Sequence, residues 1–507
     1  MSLGARLRTR PAAYPAAILV ALVLNLLVDS AVSPYAIGRP LIAAIAIGFL
    51  APWLAGLVSG DRDRAGMIGL LAVLSVLAGR MPAVTALSLI AVALLGLHLV
   101  LAPRAGPEAQ RSHHLMAMST RSLTMAAAIL LVAVAIKAVQ LDRIGMFAQD
   151  LLAESPLRPQ PIAANQVAAK MPNLVLVLLD GFPRSDKLQS EFGIDDSSFV
   201  RELRTRDFFV AEHSRSNQTL TQLTLAQMFN YQSADWIASR LDRASPTWRL
   251  AINDSLLLRD LHQLGYRTVA VAPGFENVAL RRADVYLDTG QLNEFEWAIG
   301  EMTGIGSLAS IVLPNLAADE RRSRLTDAFE VAQQEARRLR DGRTFLFVHV
   351  VAPHSPQVFG ADGQPLELDG FVLPYADTAE IARFGIAEYR RRLAGQITFL
   401  EHRTLQLVDS VVANDPGAVV VVFSDHGSGA PPRRSSETYP YPELRTANLL
   451  AVRSPARPGI IDDRSTLANL LPRLLRAYTG SGPADVPETI FAWSGNWGTS
   501  FFFDRPD

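Results

Sequence analysis

Apolar residues are distributed along this chain in two different patterns. Over the first 140 residues they come in long unbroken runs, at about 13–33, 40–59, 65–79, 82–102 and 122–140. Each is of a length that crosses a bilayer as a helix, the third, "AGMIGLLAVLSVLAG", being the shortest. Five successive runs predict a membrane bundle of about five helices. They also argue against a cleaved signal peptide, because further spans follow the first. From about residue 171 the runs shorten and alternate with helical patterns: "NLVLVLLD" (173–180), "YRTVAVAP" (266–273), "TFLFVHVVAP" (344–353), "AVVVVFSD" (418–425) and "TANLLAVRSP" (446–455), with helical periodicity between them, notably at 386–412. Short continuous apolar runs separated by helices predict an α/β fold with a mostly parallel central sheet and helices on both faces. The expected organisation is a transmembrane domain at 1–140, a connecting segment at 141–170 and a catalytic domain at 171–507. In the connecting segment, Ile144, Phe147 and Leu151 recur at helical spacing, as in a helix lying on a membrane surface, and the Pro-rich "SPLRPQPI" reads as linker.

Charge orients the chain. Arg6, Arg8 and Arg10 precede the first run, Arg62 and Arg64 lie between the second and third, and Arg104, Arg111 and Arg121 lie between the fourth and fifth. The alternate loops offer Arg39 and Arg80. Basic loops stay cytoplasmic, so an odd number of spans puts everything after residue 140 outside the cell. Composition adds exclusions. With 507 residues and a mean hydropathy of +0.17, the chain needs more than one ordinary core. A net charge of -1 excludes the basic footprint of a nucleic-acid binder. The absence of cysteine excludes disulfides, thiolate metal sites and a Cys nucleophile.

The chemistry gathers where strands end. One strand ends at Asp180-Gly181, another carries His349 with His354 just beyond it, and a third ends at Asp425-His426-Gly427. In a parallel sheet these ends share one edge, where sites form. Carboxylates converging with imidazoles suit one divalent cation, Mn²⁺ or Zn²⁺ before Mg²⁺. A nucleophile would come from "HSRSNQTLTQLTLAQMFN" (213–230), where Ser214, Ser216, Thr219, Thr221 and Thr224 cluster ahead of a helical pattern in Leu220, Leu223 and Met228. A hydroxyl at a helix start is suited to attack phosphorus; the pattern does not choose among the five.

Four blocks in order, "NLVLVLLDGFPRSD…FGIDDSSF", "SNQTLTQLTLAQMFN", "FLFVHVVAPHSPQVF" and "VVVVFSDHGSG", resemble the sulfatase-like branch of the alkaline-phosphatase superfamily over most of 172–480. With five preceding spans the chain is similar to lipoteichoic-acid synthases and lipid A phosphoethanolamine transferases. The resemblance implies metal ligation by Asp180, Thr221, Asp425 and His426, with Thr221 as the nucleophile that carries a phosphorylated intermediate. It implies that His354, and with it His349, contacts the phosphate or protonates the leaving oxygen, and that Asn217 belongs to the substrate-binding block. Asp180 stands where many such transferases have Glu, and Gln218 replaces a usual Tyr. No [CS]-x-P-x-R motif is present, which disfavours a formylglycine sulfatase. The implied activity moves a phosphoglycerol or phosphoethanolamine head group from a phospholipid donor to an exported glycan or lipid acceptor, on the outer side of a bacterial cytoplasmic membrane. Alternatives are a phosphodiesterase or sulfatase-like hydrolase, or a lipid-binding regulator of envelope synthesis without catalysis.

Overall fold

In a computed structural model of the chain, the described residues are 12–30, 34–59, 61–78, 94, 107–153, 171–236, 251–339, 342–368, 377–431, 441–493 and 500–503. The chain divides into two compact units. The first holds the N-terminal helices and Leu292–Ala317; the second holds most of the rest, including the sheet.

The apolar N-terminal runs fold as helices at Tyr14–Ser30, Gly38–Ser59 and Arg62–Ala78, and the run at 122–140 lies within one long helix, Pro107–Ala153. Two segments are long and apolar enough to cross a membrane, Gly38–Leu57 and His114–Val139; Tyr14–Leu27 is apolar but shorter. The expected count of five is thus met by two clear spans among the described residues, because the first and third helices are only 17 residues each and the run at 82–102 lies almost wholly outside the described residues. Residues 141–153 continue the long helix without a break, whereas the Pro-rich linker lies outside the described residues. Ile42, Leu50, Leu54, Met125, Ile129 and Val132 are exposed on the long helices.

In the second unit seven strands form one sheet: β1 (Leu174–Leu179), β2 (Phe209–Val210), β3 (Arg267–Val271), β4 (Val285–Leu287), β5 (Thr344–Val350), β6 (Val419–Phe423) and β7 (Leu450–Arg453), in the order β2-β7-β6-β1-β5-β3-β4. The central strands run parallel, β6 beside β1, β1 beside β5, β5 beside β3 and β3 beside β4. β7 and β2 run antiparallel at one edge. The apolar pattern located β7 but could not give its direction, since a strand buried on both faces reads the same either way.

The two faces explain why these strands are mostly apolar. Leu174, Leu176, Leu178, Phe345, Phe347, Val421 and Phe423 face one layer, packed by helices Thr221–Asn230, Leu256–Gln263 and Leu470–Thr479. Val175, Val177, Leu179, Leu346, Val348, Val420 and Val422 face the other, packed by Ser197–Thr205, Leu316–Ala336 and Ile386–Asn414. With a side-chain period of two and both faces covered, little room is left for polar residues, and those within the strands, such as Thr268 and His349, are buried with partners. The polar residues therefore collect just past the strand ends.

The helix Ile386–Asn414 carries one carboxyl at odds with this core. Burial, with Asp196 and Asp195 nearby, pushes the Glu401 carboxyl up to about 8. A raised acid binds its proton more tightly in the folded state. That contribution is complete below the usual 4.5 and is lost as pH rises towards 8. Glu401→Gln is expected to raise the melting temperature by a few degrees at pH 8 and to leave it almost unchanged at pH 4.5, read by thermal denaturation at the two pH values.

Candidate metal centre

β1 and β6 are hydrogen-bonded neighbours running the same way, so Asp180 and Asp425 leave the sheet side by side. Gly181 takes a left-handed turn (φ 75°) that a side chain would strain, and its N–H donates to Asp425 Oδ1 at 3.1 Å. Ser424 ties the corner together: its hydroxyl donates to the Phe182 carbonyl at 2.6 Å and accepts from the Leu449 N–H at 3.0 Å. Gly427 lies so close to the C-terminal end of the Pro442–Thr446 helix that a Cβ there would meet the Leu444 and Ala447 carbonyls.

Three ligand atoms, one each from Asp180, Asp425 and His426, lie within 4.8 Å of one another, and all three residues are buried. His426 Nε2 is 3.2 Å from Asp425 Oδ2 and 3.8 Å from Asp180 Oδ1. Both of those oxygens are buried without a hydrogen-bond donor. Two carboxylates stripped of water and facing each other need a cation or a proton between them. Burial, reinforced by the charge of Asp180, pushes the Asp425 carboxyl up. Burial would raise Asp180 too, but the hydrogen bond from His349 and the nearby His354 and His426 outweigh it and hold Asp180 below the usual carboxylate range. Burial, then the Arg445 guanidinium, push His426 down to about 3. His426 is therefore a neutral imidazole; its Nδ1–H donates to the Gly427 carbonyl at 2.9 Å, and Nε2 presents a lone pair. Orphaned oxygens and an oriented imidazole fit a divalent metal ion.

Thr221 joins this group. It is the first residue of the helix Thr221–Asn230, and its Oγ1 lies 3.5 Å from Asp180 Oδ2 and 3.4 Å from His426 Nε2. Other hydroxyls of the stretch serve the backbone: Ser214 donates to the Asn448 carbonyl, Ser216 to the Gln218 carbonyl, and Thr224 to the Asp425 and Leu220 carbonyls. The Thr224 bond to the Asp425 carbonyl, at 3.1 Å, pins the helix start against the Asp425–His426 turn.

The remaining expected residues fall in different places. His349, fully buried in β5, sets its Nε2 3.2 Å from Asp180 Oδ2 and so orients that carboxylate. His354 is half-buried beyond the strand; its N–H donates to the Asp180 carbonyl at 3.2 Å, and its Nδ1 lies 3.0 Å from the Ser355 carbonyl. Asn217 is buried and committed to the backbone: its amide donates to the Thr489 carbonyl and accepts from the Ala468 N–H. The structure thus uses Asn217 to hold the strap before Thr221.

Three residues at the site were not visible in the sequence. Arg445 Nη2 donates to His426 Nε2 at 3.0 Å, on the lone pair that a metal ion would take, while its other nitrogens donate to the Thr219 and Gly427 carbonyls. Asp377 accepts from the Ser355 and Ser428 hydroxyls and the Gly429 N–H, at 2.7, 3.1 and 2.8 Å, and so ties the loop of His354 to the loop of His426. Arg321 donates to the His354, Val351 and Pro356 carbonyls. Each is a single charged residue in an ordinary helix pattern, and only the fold brings them near the strand ends.

A family model described as Sulfatase matches residues 172–481. The chain belongs to the sulfatase family. No curated protein matches the sequence. Among solved structures, this sulfatase-family chain is similar to the C-terminal periplasmic domain of EcEptC from Escherichia coli, at 15% identity over 66% of this chain and 93% of that one, with a TM-score of 0.43. It is similar to the integral membrane lipooligosaccharide phosphoethanolamine transferase A (EptA) from Neisseria meningitidis, at 11% identity over 92% and 94%, TM-score 0.39. It is also similar to BT1596, a 2-O GAG sulfatase, at 11% identity over 64% and 74%, TM-score 0.40.

The metal assignment separates two kinds of substitution. Asp425→Asn is expected to abolish tight binding of Zn²⁺ or Mn²⁺, measured by isothermal titration calorimetry on metal-stripped protein. His349→Ala, which removes only the partner that orients Asp180, is expected to weaken binding by about 10–100-fold.

Proposed function

We propose that this sulfatase-family protein is a membrane-anchored phosphotransferase that moves a phospho-alcohol head group, phosphoethanolamine or phosphoglycerol, from a phospholipid to an exported glycan or lipid. The observation that carries this reading is the position of Thr221. A hydroxyl on the first residue of a helix, beside two orphaned carboxylate oxygens and an imidazole lone pair, is placed to attack phosphorus. A divalent cation held by Asp180, Thr221, Asp425 and His426, Zn²⁺ or Mn²⁺ given two carboxylates and one nitrogen, would acidify the hydroxyl and neutralise phosphoryl charge.

The chain's own residues supply the rest. Thr221 Oγ1 releases its proton to water and forms a bond to phosphorus, and the bond from phosphorus to the diacylglycerol oxygen breaks. His354, half-buried and fixed by Arg321 and Asp377 through its loop, is the residue suited to protonate that departing oxygen. His349 is less suited, because it is fully buried and engaged with Asp180. An acceptor hydroxyl then attacks the phospho-Thr, returning the threonine. The start of the helix Thr221–Asn230 favours the anionic group throughout. Arg445 Nη2 stands beside His426 Nε2 and is suited to bind a phosphoryl oxygen there. The apolar helices Gly38–Leu57 and His114–Val139 would keep this chemistry at the bilayer in which the donor lies, on the outer face of a bacterial cytoplasmic membrane.

The test uses full-length protein with vesicles of phosphatidylethanolamine or phosphatidylglycerol. Release of diacylglycerol and a head-group adduct mapping to Thr221 by peptide mass are expected. Thr221→Ala is expected to lose both, a rate loss of several orders of magnitude, while retaining its melting transition. Diacylglycerol release that persists in Thr221→Ala would overturn the covalent route. Release of free head-group phosphate to water, with no transfer to any acceptor, would make the protein a hydrolase. Metal binding without turnover of either lipid would leave a non-catalytic lipid binder.

A further inference from the structure

The chain of the second unit is interrupted by a segment that belongs with the N-terminal helices, Leu292–Ala317. It begins with the helix Glu294–Met302, closed at its start by a capping box between Asn293 and Glu296. This start is fastened to the turn between the first two N-terminal helices. The Asn293 amide donates to the Ala36 carbonyl at 3.0 Å, Arg39 pairs with Glu296 at 2.7 Å, and Phe295 is fully buried against Ala36, packed by Leu26, Leu27 and Ile37. That turn is where two apolar helices reverse direction, so it marks one end of their hydrophobic length.

A second short helix follows, Gly304–Val312, which packs against the helix Arg62–Ala78. From Thr303 to Ala318 there is no charged residue. Ile311, Val312 and Leu313 form an exposed apolar end, at 65%, 76% and 54% accessibility. Nine residues of helix rise about 14 Å, half of the roughly 30 Å hydrocarbon layer, so this helix cannot cross it. The helix it packs against, Arg62–Ala78, packs in turn on Gly38–Ser59, which exposes Ile42, Leu50 and Leu54.

We propose that residues 303–313 are a membrane-contact element: a short uncharged helix whose Ile311–Leu313 end sits among the phospholipids at the boundary between head groups and acyl chains. The occupant is lipid, because the exposed residues belong to the same compact unit as the proposed spans and the stretch offers no charge with which to pair a protein partner. The proposal rests on the membrane reading of the N-terminal helices.

The chain's lack of cysteine allows a direct test. Spin labels are placed singly at Ile311→Cys and Val312→Cys in the full-length protein, reconstituted in phosphatidylethanolamine–phosphatidylglycerol nanodiscs. Ile129→Cys on the long helix serves as the lipid control and Glu212→Cys, on the sheet-bearing unit, as the water control. Collision with dissolved oxygen is expected to exceed collision with a nickel chelate at 311 and 312, with nickel access several-fold below that at 212 and a depth shallower than 129. Nickel access equal to that at 212 would overturn the proposal. Shelter from both reagents would also overturn it, by showing that protein covers the surface. If the label at 129 meets the nickel chelate freely, the membrane reading itself fails and the proposal falls with it.

Discussion

Two buried carboxylates held face to face organise the catalytic half of this molecule. Asp180 and Asp425 end neighbouring parallel strands, so the sheet itself forces them together, and burial removes the water that would screen their repulsion. Much of the surrounding polar structure answers to that constraint. His349 and Gly181 hold one oxygen of each carboxylate, which leaves the other pair, Asp180 Oδ1 and Asp425 Oδ2, turned towards His426 without donors. His426 is kept neutral and its ring is turned by Gly427, so that a lone pair joins those oxygens. Such an arrangement needs a cation or a shared proton between its carboxylates, and the lone pair of His426 beside them suits the former.

Around this pair the protein spends several charged residues on position alone. Arg321 and Asp377 touch no ligand atom; they fasten the loops that carry His354 and His426. Thr224 does the same for the helix that begins at Thr221. Thr221 and the Asp425–His426 turn are thereby linked through one hydroxyl–carbonyl bond, one helical turn from the Thr221 hydroxyl.

How much of this the sequence carried depends on the kind of signal. β1, β3, β5, β6 and β7 were legible because strands covered on both faces leave little room for polar residues, so their ends stand out as abrupt polarity, as at Asp180 and Asp425. Thr221 could be chosen among five hydroxyls only by resemblance, since capping and catalysis draw on the same residue types. Arg445 and Asp377 were not legible: each is one charge among many on a helix, and its use depends on long-range packing that leaves no local period. β2 and β4 span only two and three residues, too short for alternation to register. Asn217 is assigned to substrate by resemblance alone; the hydrogen bonds of its amide to the backbone of Thr489 and Ala468 depend on long-range packing that no local pattern shows.

The excursion at Leu292–Ala317 means that the two halves of the protein are not consecutive pieces of the chain. Evolution or an experimenter cannot part them with one cut. A fragment beginning at residue 171 would keep the whole sheet but carry Phe295 away from the Ala36 pocket that buries it, beside an uncharged helix with an apolar tip. Such a fragment would be adhesive where the intact chain is not, and its solubility would be governed by those twenty-six residues rather than by the catalytic core.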